Sequence, residues 1–232
     1  MTTTVIRDDS FTWVNSNIKP GTIPLIITDP PYGSIINAQW DLEWNISHQW
    51  LMTDLIRQSL CDGGTAYVFG GIGKYRNRIF FEWLSQVESD YHDLRIWDVI
   101  VWGKRRAYGT KNKYLFTREE ICMLVKGEKP KTFNVPLLET ERAYSGFNAD
   151  YPALSKFYRR SNVWSDINEL FRGKIHPTEK PSRLAEIMIE TSSNPGDMVL
   201  DMFAGSGSTG VAANKLGRDC ILIEKSDCPM RI

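Results

Sequence analysis

The chain has 232 residues, 42% of them hydrophobic, and 28 Lys+Arg balance 28 Asp+Glu to a formal net charge of zero. That length and composition suit one soluble globular domain, residues 1–232, with room for a full core. No run approaches a membrane span, Met1-Thr2-Thr3-Thr4 opens no signal peptide, and the four cysteines and three scattered histidines lack metal-ligand spacing, which predicts reduced thiols, no metal and a cytoplasmic setting.

The first strong element is the apolar run Ile23-Pro24-Leu25-Ile26-Ile27-Thr28, which reads as a buried strand. It breaks into Asp29-Pro30-Pro31-Tyr32. This set suits an exocyclic amine on a nucleobase, a poor nucleophile because its lone pair is delocalised into the ring. A carboxylate at Asp29 and the carbonyl of Pro30, fixed by the proline backbone, can each accept one amino proton and so localise that lone pair. Tyr32 offers a ring face on which a base can stack. Taken alone, the four residues are equally consistent with an ordinary proline turn.

A helix is expected at 48–60, with Trp50, Leu51, Leu55 and Ile56 apolar. A strand over 65–69 then ends at Gly70-Gly71-Ile72-Gly73-Lys74, which lacks the spacing and the hydroxyl residue of a phosphate loop. A second helix, 75–87, carries Ile79, Phe80, Trp83, Leu84 and Val87 as one stripe. Strands follow at 94–102 and 121–125. The charge balance then shifts: residues 104–174 hold 15 Lys+Arg against 8 Asp+Glu. Lys104, Arg105, Arg106, Lys111, Lys113 and Arg118 form the densest basic stretch, interleaved with Tyr108, Tyr114 and Phe116. Such clustering is the electrostatic footprint expected for phosphates; without a partner it is a solvated loop. Periodicity fades from 127 to 173, so 104–174 reads as a target-recognition insert.

Pro181 starts a helix through residue 190, as proline is tolerated in a first turn. Asn194-Pro195-Gly196-Asp197 turns the chain into a strand at Met198-Val199-Leu200, which breaks into Asp201-Met202-Phe203-Ala204-Gly205-Ser206-Gly207-Ser208-Thr209-Gly210. Glu224 ends the next apolar run, Ile221-Leu222-Ile223. The three glycines match a dinucleotide fingerprint, with Glu224 placed for a ribose. Two features weigh against a nicotinamide cofactor. The motif stands near the end of the chain, and Asp201 would repel a pyrophosphate. S-adenosylmethionine, with a ribose, an ammonium and a sulfonium but no phosphate, fits better. The alternation of strand and helix predicts an α/β fold: an open, mostly parallel, Rossmann-like sheet with helices on both faces.

With these residues in hand, the chain resembles the β class of amino-methylating DNA methyltransferases. There an Asp-Pro-Pro-Tyr motif precedes an Asp-x-Phe-x-Gly-Ser-Gly-x-Thr cofactor loop, a circularly permuted order of the S-adenosylmethionine-dependent methyltransferase fold. His176-Pro177-Thr178-Glu179-Lys180-Pro181 is similar to the family's His-Pro-Thr-Gln-Lys-Pro segment, with Glu179 in place of glutamine. Val163-Trp164, Ile100-Val101-Trp102-Gly103-Lys104 and Glu120-Ile121-Cys122-Met123-Leu124 also follow the family pattern. The resemblance implies that Asp29, Pro30, Pro31 and Tyr32 are catalytic. It implies that Asp201, Phe203, Ala204, Gly205, Ser206, Gly207 and Glu224 line the cofactor pocket, with Thr178 and Lys180 near the methionine end. Family members usually continue past the residue matching Glu224 with a helix; here only 225–232 follow, which predicts a thin wall beside the adenine.

The implied activity is methyl transfer from S-adenosylmethionine to the exocyclic amine of a base flipped out of double-stranded DNA. A leading aspartate in the motif points to adenine-N6 and a serine to cytosine-N4, so Asp29 favours adenine. Cytosine-N4 transfer, an RNA or protein amine methyltransferase, a nicotinamide oxidoreductase and a non-catalytic DNA-binding relative are the alternatives. The resemblance also implies a bacterial or phage origin and leaves open a homodimer and a restriction endonuclease partner.

Overall fold

A computed structural model describes residues 1–33, 39–71, 79–108, 111–112, 114–144, 155–168 and 179–231. In chain order the strands are β1 (Thr3–Ile6), β2 (Ile23–Thr28), β3 (Leu60–Gly70), β4 (Leu94–Tyr108), β5 (Phe116–Lys126), β6 (Leu137–Tyr144), β7 (Ser155–Arg159), β8 (Val163–Trp164), β9 (Met198–Asp201) and β10 (Asp219–Ile223). The helices are α1 (Ser10–Asn17), α2 (Gln39–Leu42), α3 (Ile46–Ser59), α4 (Ile79–Asp90), α5 (Ser182–Ser192) and α6 (Ser208–Leu216). Eight strands make one sheet in the order β1-β10-β9-β2-β3-β5-β4-β8, while β6 and β7 pair separately. The five strands from β1 to β3 run parallel. The β4–β5 hairpin adds to β3 in antiparallel sense, and β8 joins β4 in parallel.

The unbroken apolar run of β2 marks a strand covered on both faces. Successive side chains point to opposite sides. Leu25 and Ile27 join Leu184, Ala185 and Ile189 of α5 and Ala212 and Ala213 of α6 in one core. Ile26 joins the other core, with Val14 of α1, Met52 and Ile56 of α3, and Trp83 and Val87 of α4. Helices therefore cover both faces, as the sequence predicts.

The strand order decides where the site lies. From β2 the chain crosses over α3 to β3 on one side. From β9 it crosses over α6 to β10 on the other side and on the opposite face. The β2–β9 boundary is thus the point where strand order reverses, and a crevice opens there at the carboxyl ends of the strands. Ile26 lies beside Leu200, so Asp29 and Phe203, each three residues further on, leave neighbouring strands at the same edge. Motifs far apart in sequence meet because the sheet interleaves the ends of the chain.

The structure differs from the sequence reading in several places. β1 and α1 open the fold ahead of the first expected strand. Part of the low-periodicity stretch, β8, belongs to the main sheet beside β4.

Candidate active site

Asp29 follows β2 directly, and each oxygen of its carboxylate has a partner. Oδ1 accepts a hydrogen bond from the Tyr32 hydroxyl at 2.8 Å, and Oδ2 accepts one from the Lys180 ammonium. Burial, and then the neighbouring Asp29 charge, push the Tyr32 phenol well above its ordinary pKa, so it remains a donor. The turn itself is held from outside. Asp41, buried on α2, accepts the backbone N–H groups of Tyr32 and Gly33 on one oxygen, at 2.9 and 3.0 Å. Those two donors lie past the end of β2, where no strand neighbour satisfies them, and a carboxylate acceptor is the stronger kind of partner. Asp41 gives no sequence signal, because it lies in no recognisable spacing.

Lys180 links the turn to the start of β5. Its ammonium lies 3.5 Å from Glu119 Oε2, and Glu119 Oε1 is paired with Lys104. The row Asp29, Lys180, Glu119, Lys104 therefore alternates in sign. Lys180 also sits 5.6 Å from the Tyr32 ring centroid and 5.3 Å from that of Phe69, within cation–π range. Burial would lower the Lys180 pKa, but Asp29 and Glu119 outweigh it and hold the group above its usual value. The next residue, Glu120, is buried opposite Gly70. Burial raises its carboxyl, an effect partly offset by Arg118 at 2.8 Å. Two acidic residues heading an otherwise apolar strand were the available sequence signal for this cluster.

The glycine turn is built at the end of β9. Asp201 is buried, and its oxygens brace the turn: Oδ2 accepts from the Thr209 hydroxyl at 2.6 Å, and Oδ1 from the Phe203 backbone N–H at 3.1 Å. Burial lifts its pKa to about 7 despite those two hydrogen bonds. Glu224 Oε2 accepts the Gly205 N–H at 2.9 Å, and Oε1 accepts the Ser226 N–H at 2.8 Å. Gly207 caps α6 with φ 81°, a left-handed conformation that favours glycine. Phe203 packs edge-on against Trp44, ring centroids 5.3 Å apart. Residues 225–231 then fold back over the turn. The Arg231 N–H donates to Ser206 O at 2.7 Å, and the Arg231 guanidinium pairs with Glu179 at 3.1 Å.

The described candidate residues stand at neighbouring strand ends. Asp29, Pro30, Pro31 and Tyr32 stand at one strand end; Asp201, Phe203, Ala204, Gly205, Ser206, Gly207 and Glu224 stand at the next. Lys180, expected near a cofactor's methionine end, reaches Asp29 and Glu119. Asp201, expected to face an ammonium, is turned into its own loop. In the basic stretch, Lys104 pairs with Glu119 and Arg118 with Glu120, and Arg105, Lys111 and Arg118 are exposed. Thr178, Lys113 and the Arg106 side chain lie outside the described residues.

A model of the DNA methylase family matches residues 23–231. The type II methyltransferase M.HpaI of Haemophilus parainfluenzae is 33% identical over 220 residues. That match covers 90% of this chain and 66% of the relative, so the chain spans about two thirds of that protein's length. The solved PvuII DNA methyltransferase, named as cytosine-N4-specific, superposes with a TM-score of 0.76 at 18% identity, covering 97% of this chain and 83% of that one. The M1.HpyAVI–SAM complex gives 0.63 at 23% identity, with 97% and 95% covered. At these identities the two structures speak to the fold.

Proposed function

The chain belongs to the DNA methylase family of N6 and N4 amino-methyltransferases, and from that premise we propose that it methylates the exocyclic amine of a base in duplex DNA, adenine-N6 in preference to cytosine-N4. The observation that carries this reading is the carboxylate of Asp29 beside the Tyr32 ring, one strand from the glycine turn. S-adenosylmethionine would supply an electrophilic sulfonium methyl at that turn. The donor set fits it: Glu224 Oε1 is taken by Ser226, but Oε2 keeps a lone pair for a ribose hydroxyl beyond the one given to Gly205, and a turn flanked by two carboxylates suits a ligand without phosphate.

The chemistry follows from the other residues. The base must leave the duplex, since its amine is otherwise locked in pairing. Tyr32 then stacks on its face, and Asp29 with the Pro30 carbonyl accepts the two amino protons. The nitrogen lone pair forms the new bond to the methyl carbon as the carbon–sulfur bond breaks, leaving its electron pair on sulfur. The positive charge that develops on nitrogen is stabilised by Asp29, which takes the departing proton and passes it to water. Exposed Arg105, Lys111 and Arg118, on and beside the β4–β5 hairpin, are candidates for phosphate contacts.

Adenine is preferred because the motif opens with aspartate. Cytosine-N4 remains the second reading because the PvuII enzyme shares the fold. The test is incubation with methyl-labelled S-adenosylmethionine and unmethylated genomic DNA, followed by nucleoside separation. Label in N6-methyladenine supports the first reading and label in N4-methylcytosine the second. DNA without label overturns both.

A further inference from the structure

A base amine entering the arrangement described has to share Asp29 with two donors already in place, because Tyr32 holds one of its oxygens and Lys180 the other. Lys180 holds one of them and lies beside the Tyr32 ring on which the base would stack. One ammonium therefore holds an acceptor that the base amine needs. A second seat for it exists. Glu119 Oε2 is buried without a well-formed hydrogen bond among the described residues, 3.5 Å from the Lys180 nitrogen. The Glu119 side chain is 12% exposed and that of Lys180 13% exposed, so water screens neither well. Lys104 holds the other Glu119 oxygen and fixes the carboxylate in place.

We propose that Glu119 is a positioning residue that takes the Lys180 ammonium from Asp29 when the target base enters, freeing Asp29 Oδ2 for the amine. This rests on the methyltransferase reading. No proton moves in the handover. Lys180 stays charged and exchanges one carboxylate partner for another, so the enclosed charge is constant and the exchange costs little desolvation. Without the Glu119 charge, Lys180 stays on Asp29, and the fraction of enzyme able to accept the amine falls by the lost bias.

The test is single-turnover and steady-state methylation by wild type, E119Q, K180Q and the double variant, with S-adenosylmethionine binding and thermal melting as controls on folding. E119Q should lower turnover about tenfold or more while KM for DNA and for S-adenosylmethionine moves less than about threefold. In the K180Q background the same change should alter turnover less than about twofold, since there is no ammonium left to hand over. Losses that add in the double variant, or an E119Q enzyme with wild-type turnover, overturn the handover and leave the methyltransferase reading standing. A wild-type enzyme that methylates no DNA overturns the reading itself. If E119Q does not fold, E119D carries the test. It keeps a charge for Lys104 but withdraws the oxygen from Lys180 by one methylene. Lowered turnover with unchanged KM is then expected, and wild-type turnover overturns the proposal.

Discussion

Tyr32 does two things at once, and they can be separated. Its ring offers a stacking face, and its hydroxyl holds Asp29 Oδ1 at 2.8 Å. Y32A removes both, so base flipping and turnover should both suffer; a base–aromatic stack is worth about 1–3 kcal/mol. Y32F keeps the ring and loses only the brace. It should flip the base nearly as well as wild type while turnover falls by roughly three- to tenfold, the scale of one modest hydrogen bond. Fluorescence of 2-aminopurine at the target position reports flipping, and labelled methyl transfer reports turnover. Equal losses in both assays for Y32F would mean that the hydroxyl, not the ring, governs base entry. The motif residues themselves were legible in the sequence because their chemistry is local to four adjacent positions. Their contacts with Lys180, Glu119 and Asp41 were not: those residues reach the turn only through tertiary packing, and no spacing rule connects them.

At the level of elements, the turn after β9 carries a titratable brace. The Asp201 carboxyl has a folded pKa of about 7 against an ordinary 3.8, chiefly because it is buried. Between those values the folded chain holds a proton that the unfolded chain has lost, so stability falls as pH rises through this window and levels off above it. D201N cannot titrate, and the Thr209 hydroxyl can reverse its direction to suit the amide. Chemical denaturation at pH 5 and pH 7.5 should show wild type losing roughly 2 kcal/mol more than D201N across that interval. Parallel curves for the two proteins would place the titration elsewhere. The main strands and helices followed from apolar runs and helical stripes. β1 and α1 escaped the same reasoning. β1 is a half-buried edge strand of four residues, and α1, Ser10–Asn17, is rich in Ser, Thr and Asn. What starts α1 is the cap: Asp9 accepts the N–H groups of Phe11 and Thr12 at 3.1 and 3.2 Å. β4 and β5 run past their expected ends because the hairpin continues beyond the buried core, where apolar patterning no longer marks it.

For the whole molecule, the sheet order explains how two distant motifs make one crevice, and the β4–β5 hairpin sets where DNA would lie. Glu120 stands opposite Gly70, so the tip of the hairpin projects from the same edge as the crevice. Lys104 is engaged with Glu119 inside the site, while Arg105, Lys111 and Arg118 are exposed there, Arg118 with Glu120 as its partner. R105Q/K111Q should weaken binding to all duplex sequences about equally and flatten the salt dependence by roughly one unit per lost contact. A slope unchanged from wild type would put the phosphate path on another face. A net charge of zero hides this arrangement, because the basic surplus is local to residues 104–174.

The central claim is that Asp29 assists methyl transfer to a base amine. It is tested most directly by single-turnover transfer of labelled methyl from S-adenosylmethionine to duplex DNA by wild type and D29A, with the label traced to a nucleoside. Wild type should place the label on N6-methyladenine. D29A should still bind cofactor and DNA while its rate falls at least about a hundredfold, the scale for losing one well-placed polar stabiliser. Label on no base with wild type, or a D29A rate close to wild type, would contradict the account.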